Sequence, residues 1–155
     1  MKKKIAIGSD HGGFQLKQAL IPWLKEKGYE AHDFGTHSAE RADYPDIAAQ
    51  VAAAVSSEEY KEGILICSSG VGMSIAANRV PGVRASLCYN EKIAVHTREH
   101  NWSNVLCLGA HYTDEKSAKK ITETWLATKH GTEPRYARRV EMIDENVIPR
   151  CPGCF

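Results

Sequence analysis

The stretch Ile64-Leu65-Ile66-Cys67-Ser68-Ser69-Gly70-Val71-Gly72-Met73-Ser74-Ile75-Ala76-Ala77-Asn78 decides the fold. An apolar run ends in a cysteine, a Ser/Gly loop follows, and a small-residue segment then reads as a helix. That order sets one thiol at the carboxyl end of a buried strand, facing backbone N–H groups and a helix N-terminus. Such surroundings favour negative charge, hence thiolate over thiol. They would equally stabilise an oxyanion on a bound ligand.

The same alternation extends outward in both directions. Upstream, Lys4 to Gly8 reads as a strand, Phe14 to Lys27 as a helix stopped at Gly28, Glu30 to Phe34 as a strand and Ile47 to Val55 as a helix. Pro22 is expected to kink or restart the first helix. The third strand is Gly63 to Cys67, and Ser74 to Arg79 begins its helix. Downstream, Val83 to Cys88 and Asn104 to Leu108 read as strands. Glu91 to His100, Thr113 to Trp125 and Glu133 to Asn146 read as helices. Five strands alternating with helices imply an α/β fold: a three-layer α/β/α sandwich on a five-stranded parallel, Rossmann-like sheet, with right-handed crossovers and an added C-terminal helix. Residues 1–150 read as one domain and 151–155 as a tail. A flavodoxin-like order would set strands one and three side by side, with a switch point where their loops meet.

Composition narrows the function classes. The chain has 155 residues, 43% hydrophobic and 25% charged, which excludes a disordered or fibrous chain. A net charge of +1 gives no global attraction to nucleic acid or membrane, so neither is an expected partner. No apolar run approaches the ~18 residues of a membrane span. The basic start Met1-Lys2-Lys3-Lys4 precedes too short an apolar run for a secretory signal, and a cytoplasmic protein is expected. Cys67, Cys88, Cys107, Cys151 and Cys154 are odd in number, and three lie in apolar runs, unlike a disulfide framework. Cys88 and Cys107 read as packed core thiols. Cys151 and Cys154 have redox or metal spacing but stand as a single pair in the tail.

Four clusters could carry chemistry. Gly8-Ser9-Asp10-His11-Gly12-Gly13 follows the first strand. It reads either as a turn with Asp10 capping a helix and His11 exposed, or as an acid/base pair beside an anion-binding turn. It is not a dinucleotide fingerprint. The loop after Cys67 carries Met73 where a cysteine phosphatase needs arginine, and it lacks the triphosphatase pattern. A thiol with a nest of N–H groups and no fixed cation suits a proton-abstracting base beside an enolate-like oxyanion. The alternative is an inert buried cysteine beside a structural turn. His96 and His100 share a helix face, without a third ligand or HExxH spacing, so no metal site is expected. Arg135 and Arg139, also four apart, form either a phosphate clamp or a solvated basic face. Arg79 and Arg84 are further cations.

Taken together, the segments 8–13, 33–36, 43–46, 64–78, 98–101 and 135–139 resemble type B ribose-5-phosphate isomerases and their relatives, including galactose-6-phosphate isomerase. The resemblance implies metal- and cofactor-free aldose–ketose isomerisation of a small phosphosugar, through a cis-enediolate. It implies Cys67 as the base between C1 and C2, and Asp10 and His100 as the ring-opening residues. Ser69, Gly70 and Gly72 become the enediolate cradle, His11, Arg135 and Arg139 the phosphate ligands, and Tyr44 and Asn101 substrate contacts. It further implies a homodimer, or a dimer of dimers, with the site between subunits. Two departures fall at the phosphate end. His111 stands where many members carry arginine, and Tyr136 where many carry histidine. Either His111 replaces that arginine as a pH-dependent phosphate partner, or the sugar differs. The alternatives are therefore a tetrose 4-phosphate or hexose 6-phosphate substrate, or a non-catalytic phosphosugar-binding module.

Overall fold

The computed structural model describes residues 3–145. Its elements are β1 (Lys3–Ser9), α1 (Phe14–Glu26), β2 (Tyr29–Asp33), α2 (Tyr44–Ser56), β3 (Glu62–Cys67), α3 (Val71–Ala77), β4 (Ala85–Leu87), α4 (Glu91–Asn101), β5 (Val105–Gly109), α5 (Glu115–Ala127) and α6 (Pro134–Glu145). All strand pairs are parallel, in the order β2-β1-β3-β5-β4. The expected α/β sandwich is present, and β1 and β3 are neighbours. The far side departs from the flavodoxin order, because β4 takes the edge and β5 returns beside β3.

Side-chain alternation along the strands builds two cores. Ile5, Ile7, Ile64, Ile66, Leu106 and Leu108 face Leu16, Leu20 and Leu24 of α1 and Ala118, Ile121 and Trp125 of α5. Ala6, Leu65, Cys67, Val105 and Cys107 face Ile47, Val51 and Val55 of α2 and Met73 and Ala77 of α3. Right-handed crossovers account for this division. The connections that step from β2 to β3 and from β3 to β4 run one way across the sheet, so α2 and α3 share a face. Those from β1 to β2 and from β4 to β5 run the other way, so α1 and α4 share the opposite face.

Several boundaries differ from the sequence reading for identifiable reasons. α1 runs through Pro22 unbroken. Pro22 lies near the last turn, where it forfeits one bond to the carbonyl of exposed Gln18. α2 starts earlier, at Tyr44, because Pro45 occupies its first turn, where a missing N–H costs nothing. α3 starts at Val71 rather than Ser74. β4 contracts to Ala85–Leu87, an edge strand bonded on one side only. Asp114, expected inside α5, is its cap, with Oδ1 accepting the Ser117 N–H at 2.7 Å. The reading of α6 up to Asn146, Pro149, and the Cys151–Cys154 tail lie outside the described residues.

Leu106 is fully buried at the centre of the sheet. Leu106→Ala is expected to lower unfolding stability by about 2–5 kcal/mol through lost transfer energy and a residual cavity. The measurement is a urea titration, with a lower midpoint and an unchanged slope.

Candidate active site

Two loops meet at the carboxyl ends of β1 and β3, and their backbones are locked together. Asp10 N–H donates to Ile66 O at 3.2 Å, Ala110 N–H to Cys67 O at 2.9 Å and His111 N–H to Ser68 O at 2.9 Å. Asp10 is buried, and its Oδ1 accepts the Gly13 N–H at 3.0 Å. The turn therefore closes on Gly13, which is the residue that caps α1. His11 is exposed, with Nδ1 lying 3.3 Å from both the N and the O of Ala42, so its tautomer decides which bond forms.

Cys67 ends β3 with its side chain on the α2/α3 face. Gly70 N–H donates to its Sγ at 3.1 Å, an amide dipole aimed at the sulfur. Gly70 reaches that position with φ of 79°, where a side chain is strained, and a Cβ there would lie 2.5 Å from Leu87 Cδ1. Ser69 Oγ accepts the Val71 N–H at 3.2 Å. The Tyr44 ring packs on the backbone at Gly72, where a Cβ would lie 2.7 Å from Cζ. All three cysteines among the described residues are buried: Cys67, 5% exposed, stands at the loop, and Cys88 and Cys107 are packed in the core, as expected. Burial pushes the Cys88 thiol up to about 11 and the Cys107 thiol higher still.

A hydroxyl that sequence reasoning passed over also lies here. Ser68 Oγ abuts Gly12, so closely that a Cβ on Gly12 would come within 2.3 Å of it and within 3.3 Å of Asp10 Oδ1. The signal was the glycine pair after Asp10, which marks a close backbone approach. Two open clefts flank the loops. One of about 640 Å³ is lined by Gly12, Gln15, His111, Thr113 and Asp114. The other, of about 570 Å³, is lined by Ser69, Val71, Leu87, Tyr89 and Tyr112.

The remaining site candidates lie at the other end of the sheet. α4 descends from the carboxyl end of β4 and finishes beside the start of β3, where Arg98 Nη2 donates to Glu62 Oε1 at 2.8 Å. Arg98 is buried, donates to Ser103 O at 2.6 Å and stacks 4.5 Å over Trp125. His100 and Asn101 sit on this anchored end. The His100 ring lies between His96 at 4.0 Å and Tyr136 at 4.3 Å, and Nε2 lies 3.0 Å from the Tyr136 hydroxyl. α6 is tied to the same end, by Tyr136 on His100 and by Asp144 on Arg84 at 3.0 Å. Arg84 is thereby committed to structure. Arg135 pairs with Glu133 at 2.8 Å and donates to Tyr136 Oη at 3.2 Å. The Arg139 side chain is exposed and makes no ion pair or hydrogen bond among the described residues. Glu62 and Cys67 are the two ends of β3, so about 16 Å of strand separates the His100 end from the thiol. Among the described residues no three His, Cys, Asp or Glu side chains converge as a metal-ligand set.

The family model described as Ribose/Galactose Isomerase matches residues 5–143. The chain is 47% identical over 141 residues to ribose-5-phosphate isomerase B of Escherichia coli K12, covering 91% of this chain and 94% of that one. It is 39% identical over 142 residues to ribose-5-P isomerase B of Listeria innocua, covering 92% and 95% respectively. The solved ribose-5-phosphate isomerase B of Clostridium thermocellum superposes with a TM-score of 0.90 at 49% identity, over 92% of this chain and 95% of that one. The type B enzyme of Trypanosoma brucei gives 0.90 at 44% identity, over 94% and 99%.

Two expectations follow from this geometry. Gly12→Ala is expected to distort the Asp10 turn and lower activity at least tenfold, and adding Ser68→Gly is expected to recover part of it by removing the clashing oxygen. Steady-state assays of the single and double variants check this, and an additive loss would contradict it. At pH 8, iodoacetamide is expected to spare Cys88 and Cys107 in the native protein, since thiols with raised pKa values stay protonated and unreactive there. Peptide mass spectrometry before and after denaturation reads the outcome.

Proposed function

The chain belongs to the ribose/galactose isomerase family, and from that premise we propose that it interconverts ribose 5-phosphate and ribulose 5-phosphate through a cis-enediolate without a metal. Membership makes the chain a sugar-phosphate isomerase and sets aside the non-catalytic binding module. The observation that carries the proposal is Cys67 Sγ at the carboxyl end of β3, 3.1 Å from the Gly70 N. This thiol shares one loop junction with the Asp10–His11 turn.

The chemistry requires little else. Asp10 and His100 open the furanose ring, one removing the anomeric hydroxyl proton and the other supplying a proton to the ring oxygen. Cys67 as thiolate takes the C2 proton of the open-chain aldose. Negative charge then moves onto O1, where amide donors of the 69–72 loop are already fixed. One such preorganised donor is typically worth ~3 kcal/mol of barrier. The proton on O2 shifts to O1, and the Cys67 thiol returns its proton to C1, giving the ketose. One base on one face serves both carbons. His11, Arg135, Arg139 and His111 hold the phosphate, whose remote binding energy keeps the open chain in register.

The placement of His100, Asn101, Arg135 and Arg139 supports a site shared by two copies of the chain. Within one copy they stand about 16 Å of strand away from Cys67. A two-fold pairing that sets the carboxyl end of one sheet against the amino end of the other brings the two sets together twice. Val71, 46% exposed, and Ile75, 62% exposed, give α3 an uncovered apolar face suited to that contact. A second reading keeps the reaction and changes the sugar to a tetrose 4-phosphate or hexose 6-phosphate. His111 favours it, since it lines its cleft beside the Asp114 and Glu115 carboxylates.

Cys67→Ala is expected to abolish exchange of the C2 proton of ribose 5-phosphate with heavy water, by at least a thousandfold, while phosphosugar binding persists. NMR exchange and calorimetric titration check this, and exchange at the parent rate would remove Cys67 from its role. A panel of four-, five- and six-carbon aldose phosphates decides the sugar, with the five-carbon substrate expected to lead. Chelators are expected to leave turnover unchanged.

A further inference from the structure

Lys17 of α1 is fully buried. Its ammonium donates to Asp33 Oδ1 at 2.5 Å and to the Thr36 carbonyl at 2.6 Å. The same Asp33 oxygen accepts the Gly35 N–H at 2.8 Å. The segment so held runs beside the end of β1. Ser9 N–H donates to Gly35 O at 2.7 Å, and Thr36 N–H donates to Ser9 O at 2.5 Å. Ser9 immediately precedes Asp10. At the far side of the Asp10 turn, Gly13 N–H holds Asp10 Oδ1 at 3.0 Å, and Lys17 N–H bonds Gly13 O at 2.9 Å. The turn is therefore fixed at both ends by elements that Lys17 ties together.

Stability alone does not explain a charge in this place. Burying an ammonium carries a desolvation penalty, and a well-packed apolar pair is often as stable as a buried ion pair. What the charge supplies is direction, through short charge-assisted bonds to a carboxylate and a carbonyl on one segment. Direction matters if Asp10 opens the ring, because a misplacement of about 1 Å can cost about a hundredfold in rate.

We propose that Lys17, together with Asp33, is a positioning residue for ring opening: it clamps the Gly35–Thr36 segment to Ser9 and thereby fixes the Asp10 carboxylate. This rests on the reading of Asp10 as a ring-opening residue. The clamp's own bonds go to Asp33, Thr36 and Gly35 and none to residues 67–72, so its loss is expected to bear on Asp10 more than on the enediolate cradle.

The test compares Lys17→Met, Lys17→Met/Asp33→Asn and Asp10→Asn with the parent enzyme. Three quantities are read: thermal melting, kcat and KM on ribose 5-phosphate, and the inhibition constant of a four-carbon phosphorylated hydroxamate. The hydroxamate resembles the enediolate and cannot cyclise. Both Lys17 variants are expected to melt cooperatively and to lose at least tenfold in kcat with KM nearly unchanged. Hydroxamate inhibition is expected to stay within about threefold of the parent. Turnover within about twofold of the parent overturns the proposal. So does a hydroxamate affinity that falls in step with turnover, or a double variant that does not fold, since either makes the pair a folding determinant. Asp10→Asn separates the premise. If it keeps full turnover while the Lys17 variants lose theirs, the role of Asp10 fails. If it matches the Lys17 pattern, premise and proposal stand together.

Discussion

A parallel sheet has a polarity, and every other feature of this enzyme is arranged around it. All five strands point the same way, so the loops after β1, β3 and β5 collect at one edge of the sheet. The Cys67 thiol, the Asp10–His11 turn and the 68–72 loop are there. A helix that returns from β4 to β5 must deliver its last turn to the opposite edge. His100 and Asn101 ride on that turn, and α6 is tied beside it. No rotamer change spans about 16 Å of rigid strand. The proposal of a reaction centre completed by a second copy rests on this distance, and under it catalysis and assembly become one requirement.

Within the carboxyl edge, close backbone approach does the positioning. Gly12 lies against Ser68, and Gly70 takes a left-handed turn so that its N–H meets the Cys67 sulfur. Bonds from Asp10, Ala110 and His111 to the third strand and its loop join three loops into one unit. Fixed donors need little reorganisation when charge develops, which is the main advantage such a site has over water. Cys88 and Cys107 lie away from these loops, one in each core, and burial disfavours their thiolates. At the amino edge the order is set by the buried Arg98, held by Glu62, Ser103 and Trp125.

Much of this was legible in the residues. Apolar runs with Gly-bounded loops identified the parallel sheet, because strands buried on both faces cannot alternate. Cys67 and the Asp10–His11 turn are candidates by their place after strands, and the structure sets both at one edge of the sheet. The β5–β4 edge order was not legible, because no local pattern encodes which neighbour a short strand selects. The start of α3 was read late, since Val71-Gly72 has weak helix propensity and is helical through tertiary packing of Met73 and Ala77. Ser68 was passed over because a hydroxyl beside glycines carries no sequence signal of what it touches. The placement of the candidate residues at opposite edges follows only from the path of α4, although the family resemblance implies a shared site.

Subunit complementation tests the divided centre most directly. Cys67→Ala and His100→Ala chains, each nearly inactive alone, are unfolded together, refolded as a mixture and assayed on ribose 5-phosphate. A mixed dimer holds one centre with both substitutions and one with neither, so the account predicts recovery of roughly a quarter of parental activity after statistical mixing. Activity no greater than the sum of the two inactive parents would contradict a centre built from two copies.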